Sequence, residues 1–514
     1  MTVSAISDPP LHQRASRREW LGLAVLVLPT LLLALDMTVL HLAAPRLSAD
    51  LQPSSSQLLW ILDIYGFMVA GFLITMGTLG DRIGRRRLLL AGALAFGVAS
   101  VAAAFANSAE MLIITRALLG IAGATLMPST LSLIRNMFHD ERERTTAITV
   151  WMTGFIVGSA IGPLVGGLML EFFWWGSVFL LGVPVMALLL LVGPLLLPEC
   201  RDKQAGRLDL VSALMCITTL LLVIYGIKDT ARDGLNIGAM GAVLGGLVVG
   251  VVFARRQRRL ADPMLDMTLF ANRSFSVSIA SMLLAILALS GAWLMIFQYL
   301  QGVAGLSALE AGLVMLPAAA LQTIASLLVP RISRRLRPSV FVSLGLSLSV
   351  VGFILLLLVQ GREGVTLIAL GTMLLGVGIM PVMILGTDLV VGSVPAGKAG
   401  AAAATSETAA ELGMALGIAV IGSVGAAVYQ QYVAGRLPAV LSAQQAEAAR
   451  DTLGGALGVM QQLPPDIAEV MLITVQDGFA AALHVNALIG AIIMAATALL
   501  TATGLRQVKL DSHA

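Results

Sequence analysis

The chain has 514 residues, of which 58% are hydrophobic and 12% are charged, whereas a soluble domain is about 25% charged. With a mean hydropathy of +0.92, this composition excludes two or three soluble domains, because almost no stretch is polar enough to form a solvated surface. The formal net charge of +3 does not indicate nucleic-acid binding. The composition predicts an all-α integral membrane protein.

Apolar runs long enough to cross a bilayer follow one another along the chain. A spanning helix needs roughly 20 apolar residues. The first run starts at Trp20 and is followed by no small-residue cleavage site, so we interpret it as a retained helix and not as a signal peptide. By this rule we predict fourteen transmembrane helices, at 20–44, 57–79, 88–107, 110–134, 145–170, 175–197, 208–228, 234–254, 275–298, 308–330, 339–359, 364–386, 398–428 and 479–504.

The basic residues are distributed unequally between the two sets of loops. If both termini lie in the cytoplasm, 25 of the 32 lysines and arginines fall on the cytoplasmic side, six fall outside and Arg116 falls within a span. We count Lys228 among the external six. Because cytoplasmic loops carry an excess of Lys and Arg, this distribution predicts cytoplasmic termini and supports the even number of spans.

A weak internal repeat indicates how the spans are grouped. The loop after the second span contains the sequence 82–86, and the loop after the tenth contains the similar sequence 331–335. Two parallel six-helix halves would leave such a repeat. We predict an N-terminal half at 1–200, an inserted helix pair at 201–260 and a C-terminal half at 261–514.

The C-terminal half includes one long external loop, at about 429–478. In this loop Ser442 is expected to begin a short helix that ends at Gly454, and Pro464 and Pro465 to begin another. We interpret the loop as a surface flap.

Ionisable residues inside the membrane are few. Each costs about 2.5–3.5 kcal/mol on insertion scales, so each is a functional-site hypothesis by default. We expect Asp36, Asp63, Arg116, Glu407 and Glu411 to carry proton coupling or cation binding. For Asp63 a position close to the wet surface is equally compatible with the sequence. For Arg116 a purely structural role as partner of a buried carboxylate also remains open.

Glu407 and Glu411 are four residues apart in the thirteenth span, so both side chains lie on one helix face. Two carboxylates in a medium of low dielectric share negative charge poorly, so such a pair tends to hold a proton. A cation competes with that proton for the same charge. His41 we interpret as an interfacial residue.

Aromatic side chains are the natural lining for a cavity that binds flat cations. The candidates in the predicted spans are Trp60, Tyr65, Trp151, Phe155, Trp293 and Phe297.

Several motifs resemble those of the major facilitator superfamily. LDMTVLHLAAP at 35–45 is similar to the first-helix signature of its 14-helix drug:proton antiporters, and 60–72 and 118–135 resemble the quaternary-ammonium and methyl-viologen exporters. The cytoplasmic loop signature G-x-x-x-D-R-x-G-R-R is matched by Gly77, Asp81, Arg82, Gly84, Arg85 and Arg86. The antiporter motif is matched in the fifth span by Gly158, Gly162, Pro163, Gly166 and Gly167.

The resemblance implies roles for these motifs. It implies a major facilitator fold in which the glycine stripe of the fifth span seals one face of the cavity between conformations. It also suggests a role for Arg116 in proton transfer. From its position at a helix end, Asp81 is expected to cap a neighbouring helix N-terminus and lock one conformation.

We therefore expect an inner-membrane secondary transporter, not an enzyme, which exports bulky lipophilic cations in exchange for protons and confers resistance to drugs and antiseptics. Its partners would be cationic drugs, protons and membrane lipid, with no nucleic acid, no cofactor and no metal, and the chain is expected to be monomeric. The alternative is an exporter of an anionic or zwitterionic metabolite, such as an amino acid or siderophore. An anion would need an uncompensated arginine or lysine in the cavity, and Arg116 is set against four acids. The sequence contains no nucleotide-binding P-loop, which argues against ATP as the energy source.

Overall fold

The computed structural model describes residues 14–201, 209–234, 236–260, 263, 265–333, 335–361, 364–394 and 399–506. Arg334 of the predicted repeat and residue 261, where the predicted C-terminal half begins, lie outside these ranges. Within them, every regular element is a helix. A backbone surrounded by lipid must satisfy its own hydrogen bonds, and a helix does so within one segment.

The structure contains seventeen α-helices in the described ranges. In chain order they are α1 Arg17–Leu51, α2 Ser55–Ile83, α3 Arg85–Ala104, α4 Ala109–Met137, α5 Glu141–Phe172, α6 Ser177–Leu180, α7 Gly182–Leu196, α8 Leu210–Asp233, α9 Ile237–Gln257, α10 Arg273–Gln298, α11 Ala308–Ser333, α12 Pro338–Leu357, α13 Val365–Gly392, α14 Ala399–Val433, α15 Ala443–Asp451, α16 Leu453–Met460 and α17 Pro465–Gly504.

The number of spanning segments agrees with the predicted fourteen. Thirteen segments are long and apolar enough to cross a membrane, α6 and α7 together forming one of them, and α5 adds a fourteenth if its two parts, which meet at a 45° bend, count as one span. We call the face where α1 begins and α17 ends the terminal side, and the opposite face, where α15 and α16 lie, the loop side. The first group of helices is α1 to α7, and the second group is α10 to α17.

The two groups touch each other between the middle of the helices and the loop side. Gln301 donates a hydrogen bond of 3.0 Å to the Leu42 carbonyl, and Gln430 donates one of 2.8 Å to the Ser55 hydroxyl. A Cβ on Gly167 of α5 would lie 2.8 Å from the Leu309 Cα of α11. These close approaches hold the loop side shut, whereas Glu407, nearer the terminal side, is partly exposed.

The inserted pair α8 and α9 packs at the line where the two groups meet. α8 contacts α2 of the first group and α14 of the second. α9 packs on α8, and its outer face exposes Leu244, Val248 and Val251, as expected for a surface in lipid. The inserted pair is therefore tied to both groups through α8.

The chain between α14 and α17 lies on the surface at α15, but α16 does not have the place that we predicted for a surface flap. Ser442 does begin α15, with a capping box to Gln445, and α17 does begin at Pro465. However, Gly454 does not end that helix, because it lies in α16 and packs so closely on Ser48 of α1 that a side chain would not fit. Leu453 of α16 is buried against Gly302, so α16 contacts both groups on the loop side.

Asp81 has a different partner from the one that we predicted. It lies in the last turn of α2 and accepts a hydrogen bond of 2.8 Å from Arg85 Nε, with Arg85 Nη2 at 2.7 Å, so it pairs with a side chain. The acid at a helix N-terminus is Glu199, which accepts a hydrogen bond of 3.2 Å from the Arg86 backbone N–H at the start of α3. Gly84 links α2 and α3 with a φ of 113°, and a Cβ there would overlap the Glu199 carboxylate.

The glycine stripe of α5 packs against α1 of the same group. Gly158, Gly162 and Gly166 approach α1 so closely that a Cβ at Gly166 would lie 2.8 Å from Val39 Cγ1, and one at Gly158 would overlap the Leu31 carbonyl oxygen. The Pro163 carbonyl and Gly167 instead face α11 of the second group. This part of α5 therefore contacts both α1 and the opposite group.

Replacing Gly158 with leucine is expected to abolish the yield of folded protein, because the new side chain would overlap backbone atoms of α1 that cannot move aside. The measurement is the monodisperse fraction in detergent and its melting temperature. Gly241→Leu is the matched control, because a Cβ on Gly241 of α9 would meet nothing within 4 Å. Equal yields of the two variants would show that the α1–α5 contact tolerates a large side chain.

Candidate functional site

Asp36 and Arg116 form an ion pair between α1 and α4. The distance from Arg116 Nη1 to Asp36 Oδ2 is 2.7 Å, and the side chains are 2% and 12% exposed respectively. Arg116 Nε donates a hydrogen bond of 3.3 Å to the Ile61 carbonyl of α2, and its guanidinium lies 4.7 Å from the centre of the Tyr65 ring. Arg116 therefore has a structural partner, and its positive charge is neutralised within the first group.

Asp63 and Lys228 form a second buried ion pair, between α2 and α8. Lys228 Nζ lies 2.7 Å from Asp63 Oδ2 and 3.8 Å from the centre of the Trp60 ring. The side chains are 1% and 0% exposed for Lys228 and Asp63, which contradicts the external position predicted for Lys228 and the position near the wet surface considered for Asp63. Lys228 is not in an external loop, because α8 continues to Asp233. Asp63 is not close to the wet surface, because α8 covers it.

Glu407 and Glu411 lie one turn apart on α14. Glu411 lies beside Gly66 of α2, where the two groups meet, and its Oε2 is buried without a hydrogen-bond partner in the described part of the chain. Neither carboxylate has an ion-pair partner within 4.0 Å among the described residues, although the charge of Arg135 acts on Glu407. Among the four acids that we predicted for the site, these two are the ones without an ion-pair partner in the described ranges.

A small cavity brings several of these groups together between the first and second groups. It measures ≈ 20 Å³, enough for about one water molecule. Its charged and polar lining comes from four helices, α1, α2, α4 and α14, and the full lining is Leu40, His41, Leu62, Asp63, Tyr65, Gly66, Arg116, Glu411, Met414, Ala415 and Ile418. Asp36 and Glu407 are outside the lining, and Asp36 reaches the cavity only through Arg116.

We expected His41 at the membrane interface, but it lies in the lining of this cavity. It is 9% exposed, and its ring stacks on Phe297 of α10 with ring centres 6.4 Å apart. Its Nδ1 is buried with no hydrogen-bond partner in the described ranges. His41 is therefore a polar group of the site that the sequence reasoning missed.

The six predicted aromatic residues occupy different places. Tyr65 lines the cavity, Trp60 covers Lys228, and Trp293 stacks on Phe297 at 5.8 Å, which continues the row from His41. Trp151 is buried in α5, and Phe155 is partly exposed one turn along that helix. Tyr65 is thus the one of the six in the cavity lining, and Phe297, Trp293 and Trp60 are linked to the lining through the contacts just described.

Lys228 carried a signal in the sequence that a shifted helix boundary hid. It is the last residue of the predicted span 208–228, and an extension by one turn places it inside the membrane. Trp60 and Asp63 are three residues apart on α2 and share a face, as expected for a site that binds one cation.

Comparison with known proteins identifies the family. The family model described as Major Facilitator Superfamily matches residues 26–418. The chain is 44% identical over 504 residues to the multidrug efflux pump LfrA of Mycolicibacterium smegmatis, covering 98% of this chain and 100% of that protein. It is 38% identical over 472 residues to the methyl viologen resistance protein SmvA of Salmonella typhimurium, covering 90% and 93%.

Solved structures share the fold at low sequence identity. A bacterial homologue of the human lysosomal transporter Spinster, in an inward-facing and unoccupied conformation, matches with a TM-score of 0.64 at 17% identity, over 95% of this chain and 99% of that one. The nucleoside transporter NupG matches with a TM-score of 0.58 at 14% identity, over 92% and 99%. The chain therefore belongs to the Major Facilitator Superfamily and is a multi-pass membrane transporter, not an enzyme.

Proposed function

We propose that this protein exports bulky lipophilic cations, such as quaternary ammonium compounds, cationic dyes and biocides, in exchange for protons. The observation that carries the proposal is the charge balance around the cavity. Arg116 and Lys228 are each paired at 2.7 Å with an acid, whereas Glu407 and Glu411 have no paired cation in the described ranges. The buried site therefore has negative charge available, which protons or a cationic substrate can neutralise.

The same balance argues against an anionic or zwitterionic metabolite as substrate. An anion entering the cavity would need a free arginine or lysine, and both buried basic side chains that we described already have carboxylate partners. The names of the relatives support drug export, since LfrA is called a multidrug efflux pump and SmvA a methyl viologen resistance protein. Methyl viologen itself is a flat cation.

Transport requires that the two groups of helices move relative to each other. We infer that residues 1–200 and 261–514 are the two moving halves, that 201–260 is an inserted pair, and that the protein acts as a monomer. The terminal side is then the cytoplasm, because it carries the basic ends of α2, α9 and α11. In this orientation the closed loop side faces outward.

Coupling follows from competition for the carboxylates. A cation that enters from the cytoplasm binds to the pair formed by Glu407 and Glu411 and displaces the one proton that they share. After the halves have rearranged, a proton from the outside takes the place of the cation and releases it. The carboxylate pair binds either the proton or the cation, but not both at once. Each transport cycle therefore exchanges a cation for a proton.

The decisive experiment is ethidium transport in proteoliposomes with an imposed pH gradient. We expect ethidium to move against the proton flux and the movement to stop when a protonophore collapses the gradient. The double variant Glu407→Gln/Glu411→Gln is the control for protein-independent leak. Transport that needs ATP, or that is indifferent to the protonophore, would contradict the proposal.

Cation binding is expected to weaken as the pH falls. Protons and the cation share the same carboxylates, so the dissociation constant for ethidium should rise as the pH is lowered from about 8 to about 5, where buried carboxylic acids titrate. Fluorescence anisotropy of ethidium with purified protein measures this. An affinity that is constant over that range would show that the cation and the proton occupy different sites.

A further inference from the structure

The surroundings of Lys228 have the chemistry of a cation-binding site. Its ammonium nitrogen lies 2.7 Å from a carboxylate oxygen of Asp63 and 3.8 Å from the centre of the Trp60 ring. A carboxylate and an aromatic face at these distances are the two groups that recognise an organic cation. The occupant in this structure is the side chain of the protein itself.

The subsite is formed by one helix, and its occupant comes from another. Trp60 and Asp63 are three residues apart on α2, so their side chains lie on the same face of that helix. Lys228 is on α8, which belongs to the inserted pair. The pair is almost completely buried, so its electrostatic attraction is weakly screened by water.

Asp63 lies against Lys228 on one side and against the cavity on the other. It lines the cavity, together with Arg116 of α4, Glu411 of α14 and His41 of α1, whereas Lys228 and Trp60 are outside the lining. The carboxylate therefore lies between the cavity and the lysine. A cation in the cavity approaches the same carboxylate that Lys228 holds from α8.

Lys228 is close enough to the end of α8 for its ammonium group to reach the membrane interface. It is five residues before the end of α8 at Asp233, which is about 7.5 Å along the helix axis. A lysine near a helix end can extend its aliphatic stem toward the interface and keep its ammonium hydrated there. Leaving Asp63 therefore does not require an unpaired ammonium in lipid.

We propose that Lys228 is a tethered cation that occupies the subsite formed by Asp63 and Trp60, and that a lipophilic cation from the cavity replaces it during transport. The inference rests on the proposed cation export and adds a residue that determines specificity. Lys228 sets a threshold, because only a cation that interacts with the carboxylate and the ring better than an ammonium does displaces it. Replacement also separates α8 from α2, so the inserted pair takes part in the cycle.

Binding of tetraphenylphosphonium to purified variants tests the proposal. We expect Lys228→Met to bind this cation about tenfold more tightly than the parent, which corresponds to about 1.4 kcal/mol. Lys228→Arg, which keeps a tethered cation, should bind like the parent. Asp63→Asn/Lys228→Met, which removes the carboxylate as well, should show no gain.

Arg256→Met is the matched control for a loosened inserted pair. Arg256 of α9 pairs with Asp209 at 2.9 Å where α8 begins, on the terminal side and away from the cavity, so this variant should bind the cation like the parent. If Lys228 only fastens α8 to α2, Lys228→Met will bind the cation no more tightly than the parent, and the proposal is then wrong.

A second measurement uses the parent protein without any substitution, so it does not depend on whether a variant folds. Reductive methylation of Lys228, followed by mass spectrometry, should increase when tetraphenylphosphonium is present at saturation, because the displaced amine becomes accessible. Unchanged or reduced methylation would overturn the proposal. Failure of the parent protein to bind any cation would instead refute the proposed function, so the two failures are distinguishable.

Discussion

Replacing Asp36 with asparagine is expected to lower proton-driven efflux by at least two orders of magnitude while the protein still inserts. The change leaves Arg116, which is 2% exposed, without its carboxylate partner. Removing one member of a buried ion pair lowers the stability of the fold by about 3–5 kcal/mol. If the transport cycle loses a comparable free energy, the rate falls by at least two orders of magnitude, since about 1.4 kcal/mol corresponds to a factor of ten. The free guanidinium also lines the cavity and repels a cationic substrate.

The measurement is ethidium efflux from proteoliposomes under a pH gradient, together with the melting temperature. Glu171→Gln is the matched control, since it removes an acid from the exposed pair with Arg46, whose atoms are 4.0 Å apart, and should leave efflux unchanged. Asp36→Asn/Arg116→Gln should recover the melting temperature without recovering efflux. Proton-driven efflux retained by the Asp36→Asn variant would remove Asp36 from the coupling mechanism.

Neutralising Glu411 is expected to cause the second large loss, and neutralising Glu407 as well is expected to add little. Their side chains are about 6 Å apart on one face of α14. In a site of low effective dielectric, a negative charge on one disfavours a negative charge on the other. In the proposed mechanism the two therefore act as one unit that holds a single proton. Residues in one network lose less together than the sum of their separate losses.

The structure distinguishes the two acids. Glu411 lines the cavity beside Asp63, so Glu411→Gln should raise the dissociation constant for ethidium by about tenfold or more, as expected for the loss of a buried charge partner. Glu407 is partly exposed nearer the terminal side, so Glu407→Gln should mainly shift the pH dependence of efflux.

The measurement is the efflux rate as a function of pH for the two single variants and the double variant, which tests whether the two acids are coupled. Glu469→Gln, at an exposed position of α17, is the control for a neutralised acid outside the site. Strictly additive losses would show that Glu407 and Glu411 act independently.

The sequence predicts the helices well because the requirement for long apolar segments is local. Each span must contain enough apolar residues by itself, and the predicted runs therefore coincide with the observed helices to within a few turns. The beginning of α17 is the largest difference, at 465 where the predicted span begins at 479. The first turns of that helix include Asp466, Glu469 and Asp477, and hydropathy alone does not extend a predicted span across these charges.

The partners of the buried charges depend on which helices are neighbours. Asp36 and Arg116 are both recognisable as intramembrane ions, but their pairing requires α1 to lie beside α4. Lys228 was assigned to a loop because a lysine at the end of an apolar run is compatible with either side of a helix boundary. Only the contact between α8 and α2, which joins segments about 165 residues apart in sequence, shows that it neutralises Asp63.

The eight-residue helix α16 has a consequence for how the protein could be inhibited. It is too short to span a membrane, but it contacts Ser48 of the first group and Gly302 of the second. In the proposed orientation these contacts face the outside and must separate on one side before a substrate can leave. We expect an antibody fragment that binds α15, the largely exposed helix that packs on α16, together with the end of α1 to keep these contacts closed. Such an inhibitor would not need to cross the membrane, and it would not compete with the cations that we propose as substrates.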